Sequence, residues 1–354
     1  SKGADSEKMF SGLKISKEID FKKHLNKYDV IHIDIQWFLA NCGDADKVVS
    51  FITQSVLDEL RNIYPDVLPQ TVITLPDALS RVKECTGQKF VVIIDEWDAI
   101  IRDDTITEKI QDEYLNFLQG MFKDVEPTKY IQLAYLTGIL PIKKEKTQSA
   151  VNKLDEFTML QADELAPYIG FTEEEVKELC KKHGRDFDKV KKWYDGYLLN
   201  GYQVYNPKAV VSIMTKGKFR SYWSETGSYE VVVPLICMNY DGLKNAIIGM
   251  LSGSEVRVNT ATFKNDPSKI QNRDDVITYL IHLGYLGYNE DSESAFVPNE
   301  EIRQELSTAV KSSNWDEMIA FQNESRKLLM ATLAGNEKQV AAEPGRAQEY
   351  YVWI

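Results

Sequence analysis

Over residues 1–162 the chain switches repeatedly between two hydrophobic periods. Tyr28 to Ile35 interleaves β-branched apolar residues with polar ones, Phe90 to Ile94 is continuously apolar, and Tyr130 to Leu136 alternates again. These are strand signals. A shorter run, Phe157-Thr158-Met159-Leu160, reads as a fourth strand. From Asp46 to Ile63, Val48, Phe51, Ile52, Val56, Leu60 and Ile63 recur at helical spacing, and Tyr114, Leu115, Leu118 and Phe122 mark a second helix. Strands separated by amphipathic helices predict an α/β domain, a largely parallel sheet with helices on both faces.

The texture changes at Asp163. Residues 163–231 read as a helical subdomain of short charged helices, with Thr172 as an N-cap and Glu173, Glu174 and Glu175 in a first turn that suits the macrodipole. Trp193-Tyr194-Asp195-Gly196-Tyr197, Tyr205-Asn206-Pro207 and Tyr222-Trp223 bring aromatics together at a density that signals packing. Over 232–312, Ile277, Leu280, Ile281 and Leu283 end a helix before two extended runs, Gly284 to Tyr288 and Ala295 to Pro298. Helix then hairpin predicts a winged-helix-like domain. Its turn carries Glu290, Asp291 and Glu293, which repel phosphates and favour a packing role over DNA binding. Residues 313–354 read as the start or remnant of a further domain, with a helix over Glu324 to Gly335 and a strand-like run from Tyr350 to Ile354.

Charge and cysteine usage narrow the function classes. Forty-two Lys and Arg against 54 Asp and Glu give a net −12, which disfavours a generic DNA-coating protein. No run reaches the ~20 apolar residues that span a bilayer, so no membrane partner is expected. Cys42, Cys85, Cys180 and Cys237 lie too far apart for a CxxC knuckle, and reduced thiols in the cytoplasm are expected. His24, His32, His183 and His282 show no metal-ligand spacing.

The chemistry concentrates at Phe90-Val91-Val92-Ile93-Ile94-Asp95-Glu96-Trp97-Asp98. In P-loop ATPases a buried strand delivers an Asp that orders the magnesium shell, and an adjoining Glu polarises the attacking water. Asp95 and Glu96 occupy those positions, Asp95 holding Mg2+ through water. Thr137, ending the next strand, stands where a polar sensor contacts the water or γ-phosphate. The structural alternative is that Asp95 caps the following loop, Glu96 is solvated, Asp98 pairs with Arg102 and Thr137 is a turn hydroxyl. The companion motif GxxxxGK[ST], whose amides and Lys cradle phosphates, is not found: Gly87-Gln88-Lys89 and Gly217-Lys218 carry neither the upstream Gly nor the Ser/Thr. Without it the chain is expected to be inactive on its own.

Further motifs carry a resemblance. Met9 to Ile15, His24 to His32, Ile94 to Asp98, Thr137 to Lys143, Trp193 to Tyr197 and Tyr205-Asn206-Pro207 resemble the bacterial AAA-ATPase-like proteins of the DUF1703 type, in which a predicted ATPase precedes a PD-(D/E)XK nuclease-like domain. The resemblance implies a P-loop NTPase-like (AAA/ASCE) sheet followed by a helical lid and the winged-helix-like domain. It also implies ATP and Mg2+ as ligands, DNA as a partner of the full-length protein, a phosphate loop just before Ser1, and nuclease carboxylates beyond Ile354. Ser325-Arg326-Lys327-Leu328-Leu329 matches the approach to that nuclease-like part. Two other classes stay open: a non-catalytic scaffold that keeps a degenerate ATPase fold, and a winged-helix DNA-binding module. Lys143, Lys144 and Lys146, the basic stretch Lys181 to Lys192, and Arg220 are read as solvated, paired or packed rather than as anion sites.

Overall fold

The computed structural model describes residues 1–103, 105–123, 125–141, 154–223, 229–238, 240–312 and Thr332. The chain divides into two compact units, Ser1–Glu156 and Phe157–Ile354.

The first unit is built on three parallel strands, β1 Asp29–Asp34, β2 Phe90–Asp95 and β3 Ile131–Leu136, in the order β1-β2-β3. Three of the expected strands are therefore present, in an α/β arrangement. Parallel pairing explains why β2 has no polar alternation: a central strand meets neighbours on both edges and cover on its faces. Phe90, Val92 and Ile94 are buried beside Ile31 and Ile33 of β1. Val91 and Ile93 are half-buried on the opposite face, and Leu133 and Tyr135 of β3 are exposed.

Helices supply the cover through one apolar stripe each. Val48–Ile63 buries Val48, Val49, Ile52, Val56, Leu57 and Leu60, and Glu108–Phe122 buries Ile110, Tyr114, Leu115, Leu118, Met121 and Phe122. A third helix, Leu75–Thr86, buries Leu75, Ala78, Leu79 and Val82. At about 1.5–3 kcal/mol for each large side chain removed from water, these stripes outweigh any local propensity. The first helix starts two residues later than its pattern suggests. Ala45–Lys47 forms a 3₁₀ turn instead, with the Asp44 carboxylate accepting from the Asp46 amide at 3.2 Å.

Phe157 to Leu160 is not a strand, and the expectation is corrected here. The Thr158 amide donates to the Gln161 carbonyl at 2.7 Å, while Thr158 Oγ1 accepts from the Leu160 and Gln161 amides at 3.1 Å each. A hydroxyl that closes its own turn removes the amides that an extended strand would offer a neighbour.

In the second unit, β4 Phe171–Thr172, β5 Tyr197–Leu199 and β6 Tyr202–Tyr205 form a small antiparallel sheet in the order β4-β6-β5. Helix Glu173–His183 follows β4 and opens with a reciprocal capping box: Thr172 Oγ1 accepts from the Glu175 amide, and Glu175 Oε2 accepts from the Thr172 amide at 3.1 Å. Glu173 pairs with Lys177 and, at 2.6 Å, with Lys191 of helix Phe187–Tyr194, tying the two helices together. The aromatic clusters become core: Tyr194, Tyr205 and Tyr222 are fully buried, with Trp193 and Phe219 packed against them. Gly196 has φ +113°, and a Cβ there would lie 2.2 Å from the Pro298 carbonyl oxygen, so this position admits only glycine. Helix Arg273–His282 precedes β8 Gly287–Asn289 and β9 Ser294–Phe296, an antiparallel hairpin extended by β7 Val256–Arg257. No helix among the described residues is long and apolar enough to cross a membrane.

Candidate functional site

The parallel register places the carboxyl ends of β1 and β2 level, with Asp34 opposite Asp95. Open parallel sheets bind ligands at this edge, where the strands stop and their loops diverge. Asp34 serves its own chain, accepting from the Trp37 amide at 2.9 Å as the cap of helix Ile35–Asn41. Asp95 is exposed at the end of the central strand. Its Oδ1 accepts from the Thr137 hydroxyl and from the Glu96 amide at 3.1 Å. The structure thus brings Asp95 and Thr137 into direct contact across 42 residues of sequence.

The turn that follows β2 is tightly held. Glu96 has φ +51°, a left-handed conformation that costs a non-glycine residue about 1–2 kcal/mol. That backbone aims the Trp97 amide at the Thr137 carbonyl (2.9 Å), while the Thr137 amide returns to the Ile94 carbonyl (2.9 Å). From below, the buried Tyr114 hydroxyl donates to the Trp97 carbonyl at 2.8 Å. Glu96 is half-buried, and its Oε2 accepts from Arg102 Nη2 at 2.6 Å. Arg102 Nε donates to Oδ2 of Asp98, which is fully buried, at 2.8 Å. Burial pushes the Glu96 carboxyl above its ordinary range. Arg102 opposes the shift, and Asp98, Asp95 and Asp34 reinforce it.

The residues expected from the sequence therefore converge. Asp95, Glu96 and Thr137 share one strand-end cluster, with Asp98 paired to Arg102 as the alternative also expected. Two participants were not singled out as site residues. Asp34 was hidden because a strand ending in Asp before a helix reads as a cap, which it is. Arg102 was weighed only as a partner of Asp98 at i+4, and its reach to Glu96 depends on the left-handed turn. Arg220 packs its guanidinium over Tyr222 at 5.2 Å. Lys143, Lys144 and Lys146 lie outside the described residues, as do 313–354 apart from Thr332.

The cluster's donors are oxygens, the ligand type that hard cations take. Among the described residues no group of three or more His, Cys, Asp or Glu converges as a metal cage. Mg2+ needs none, because it keeps several waters and takes one or two carboxylates plus substrate phosphates. Asp95, exposed at the strand end, is the carboxylate of this cluster that could meet such an ion.

Residues 2–147 match the family model AAA-ATPase_like, described as "Predicted AAA-ATPase". Among curated proteins, an "Uncharacterized protein in vnfD 5'region" of Azotobacter chroococcum mcd 1 is 29% identical over 153 residues. The match covers 42% of this chain and 29% of that relative, so the chain spans less than a third of the relative's length. Among solved structures, the Aeropyrum pernix ORC2 protein in ADPNP–ADP complexes aligns over 88% of this chain and 86% of its own. That alignment has 11% identity and a TM-score of 0.37, a likeness too distant to argue from.

Proposed function

We propose that residues 1–162 form a P-loop NTPase-like domain supplying the hydrolytic half of a Mg-ATP site, with Asp95 ordering the metal's water shell, Glu96 accepting a proton from the attacking water and Thr137 contacting that water or the γ-phosphate. One observation carries the reading: the Asp95–Glu96 pair at the carboxyl end of the central parallel strand, hydrogen-bonded to Thr137 on the neighbouring strand. The AAA-ATPase match over residues 2–147 supports the nucleotide.

In this reading a water between Glu96 and the γ-phosphate loses a proton to the Glu96 carboxylate as its oxygen bonds to phosphorus. The bond to the β,γ-bridging oxygen breaks, releasing ADP and phosphate. Mg2+, when bound, neutralises charge on the phosphate oxygens. The raised proton affinity of Glu96 suits a base that must accept a proton from water. Thr137 donates its proton to Asp95 in this structure, so its oxygen is free to accept from the water, and a contact with the γ-phosphate would require the hydroxyl to turn away from Asp95.

We extend the proposal to the other parts by resemblance. Residues 163–231 act as a lid, 232–312 as a winged-helix-like domain, and 313–354 lead into a nuclease-like domain that nucleotide state regulates in a bacterial, cytoplasmic protein, with DNA as its partner. The test of the site is the Mg2+ dependence of ATP hydrolysis by the full-length polypeptide. Asp95→Asn should raise the Mg2+ concentration for half-maximal turnover about 10–100-fold, as losses around bound metals do. An unchanged Mg2+ dependence would remove Asp95 from the metal shell.

A further inference from the structure

The two loops that carry Glu96 and Thr137 are joined by a feature that the reaction itself does not require. Asp98 is fully buried, and its Oδ2 alone accepts three bonds: from Arg102 Nε at 2.8 Å, the Leu140 amide at 2.7 Å and the Ile139 amide at 3.2 Å. The first leads through Arg102 Nη2 to Glu96 Oε2 at 2.6 Å. The other two hold the segment that follows Thr137. One oxygen therefore ties the loop after β2 to the loop after β3.

Gly138 makes this close approach possible. A Cβ at Gly138 would lie 2.6 Å from Asp98 Oδ1, 2.6 Å from Trp97 Cδ1 and 2.8 Å from Trp97 Nε1, closer than any real side chain stands. Oδ1 has no hydrogen-bond partner among the described residues. A buried carboxylate used through one oxygen, with the other pressed on a glycine, is a costly way to close a loop. A neutral turn would close it more cheaply. What the charge adds is a fixed guanidinium, and what the guanidinium holds is Glu96.

We infer that Asp98, Arg102 and Gly138 form a joint that locks the two strand-end loops in register, so that Glu96 and Thr137 are presented to one substrate as a unit. Asp98 and Arg102 are positioning residues in this account. The inference rests on the reading of Glu96 and Thr137 as the hydrolytic pair. Rates are sensitive to such placement, since a displacement of 1 Å can cost about 10²-fold.

The experiment is steady-state ATP hydrolysis by the full-length polypeptide, with kcat and KM for ATP separated, for Asp98→Asn, Gly138→Ala, Arg102→Gln and Arg102→Lys beside Glu96→Gln. Hydrogen exchange at the Ile139 and Leu140 amides reads the joint without nucleotide. Asp98→Asn keeps an acceptor for the two amides but removes the charge that holds Arg102. It should lower kcat about 10–100-fold with KM for ATP unchanged, and Gly138→Ala should do the same while raising exchange at Ile139 and Leu140. Arg102→Gln should lower kcat alike, and Arg102→Lys, which keeps the charge, should recover part of it. If Asp98→Asn does not fold, the partly exposed Arg102 decides on its own. Equal or higher turnover in Arg102→Gln, or an Arg102→Lys variant no better than Gln, would overturn the joint. Wild-type turnover in Glu96→Gln would instead sink the underlying reading of the site, whatever the joint variants do.

Discussion

Glu301, 1% exposed on helix Glu300–Ser312, shows how a single carboxylate can carry pH dependence. Its Oε1 accepts from the Tyr222 amide at 2.6 Å and the Trp223 amide at 3.1 Å. Burial pushes its carboxyl up to about 7, against the two amide bonds, which favour the ionised form, and Glu305 adds to the rise. The folded-state value exceeds the ordinary one of 4.5, so the folded form binds the proton more tightly. The resulting stabilisation is full below about 4.5 and is lost as pH rises through about 7. Integrated over that window it amounts to on the order of 3 kcal/mol. Glu301→Gln keeps an acceptor and removes the titration. Urea unfolding between pH 4.5 and 8 should show a falling stability for the wild type and a flatter profile for the variant, and parallel slopes would contradict this. Nothing in Glu300-Glu301-Ile302-Arg303-Gln304-Glu305 announces a buried acid. The pattern is that of a solvated helix face, and the amides of Tyr222 and Trp223 that bond to Glu301 lie 79 and 78 residues away in sequence.

Elements were legible where a period ran long enough to be counted. β1 and β3 alternate over six residues, β2 was read from its apolar run rather than a period, and the helices Val48–Ile63 and Glu108–Phe122 run over four turns, whereas the shorter helix Leu75–Thr86 was not read from the sequence. β4, β5 and β6 have two, three and four residues, too short for any alternation to stand out, so the segment read as purely helical. Phe157 to Leu160 failed the opposite way. Its apolar residues suggest a strand, while the Thr158 hydroxyl folds the backbone into a turn. The start of helix Glu173–His183 was readable because capping is local chemistry. The structure adds the reciprocal bond from Glu175. Thr172→Ala should therefore cost about 1 kcal/mol, measured by urea unfolding, with Thr172→Ser recovering most of it. A cost below about 0.3 kcal/mol would mean that β4 pairing, rather than the cap, fixes the helix start.

At the scale of the whole molecule, the sequence points to the strand-end carboxylates, and the tertiary structure supplies their company. Asp95 and Glu96 stand out because two carboxylates follow one another at the end of an apolar run, and Thr137 because the next strand ends there. Arg102 and Asp98 could not be assigned to Glu96 and to the Ile139 and Leu140 amides in advance. Those contacts depend on a left-handed residue at position 96 and on two loops meeting at Gly138, neither of which leaves a period or a spacing in the sequence. The cluster of Asp95, Glu96, Asp98, Arg102 and Thr137 belongs to the first of the two compact units.

The most direct test of the central claim compares ATP binding and ATP turnover in the wild type and Glu96→Gln, measured on the full-length polypeptide with Mg2+ present. The account expects the variant to bind ATP as the wild type does while turnover falls by about 10²–10⁴-fold, the range for loss of a general base. Unchanged turnover in Glu96→Gln, or a wild type that binds no ATP, would contradict it.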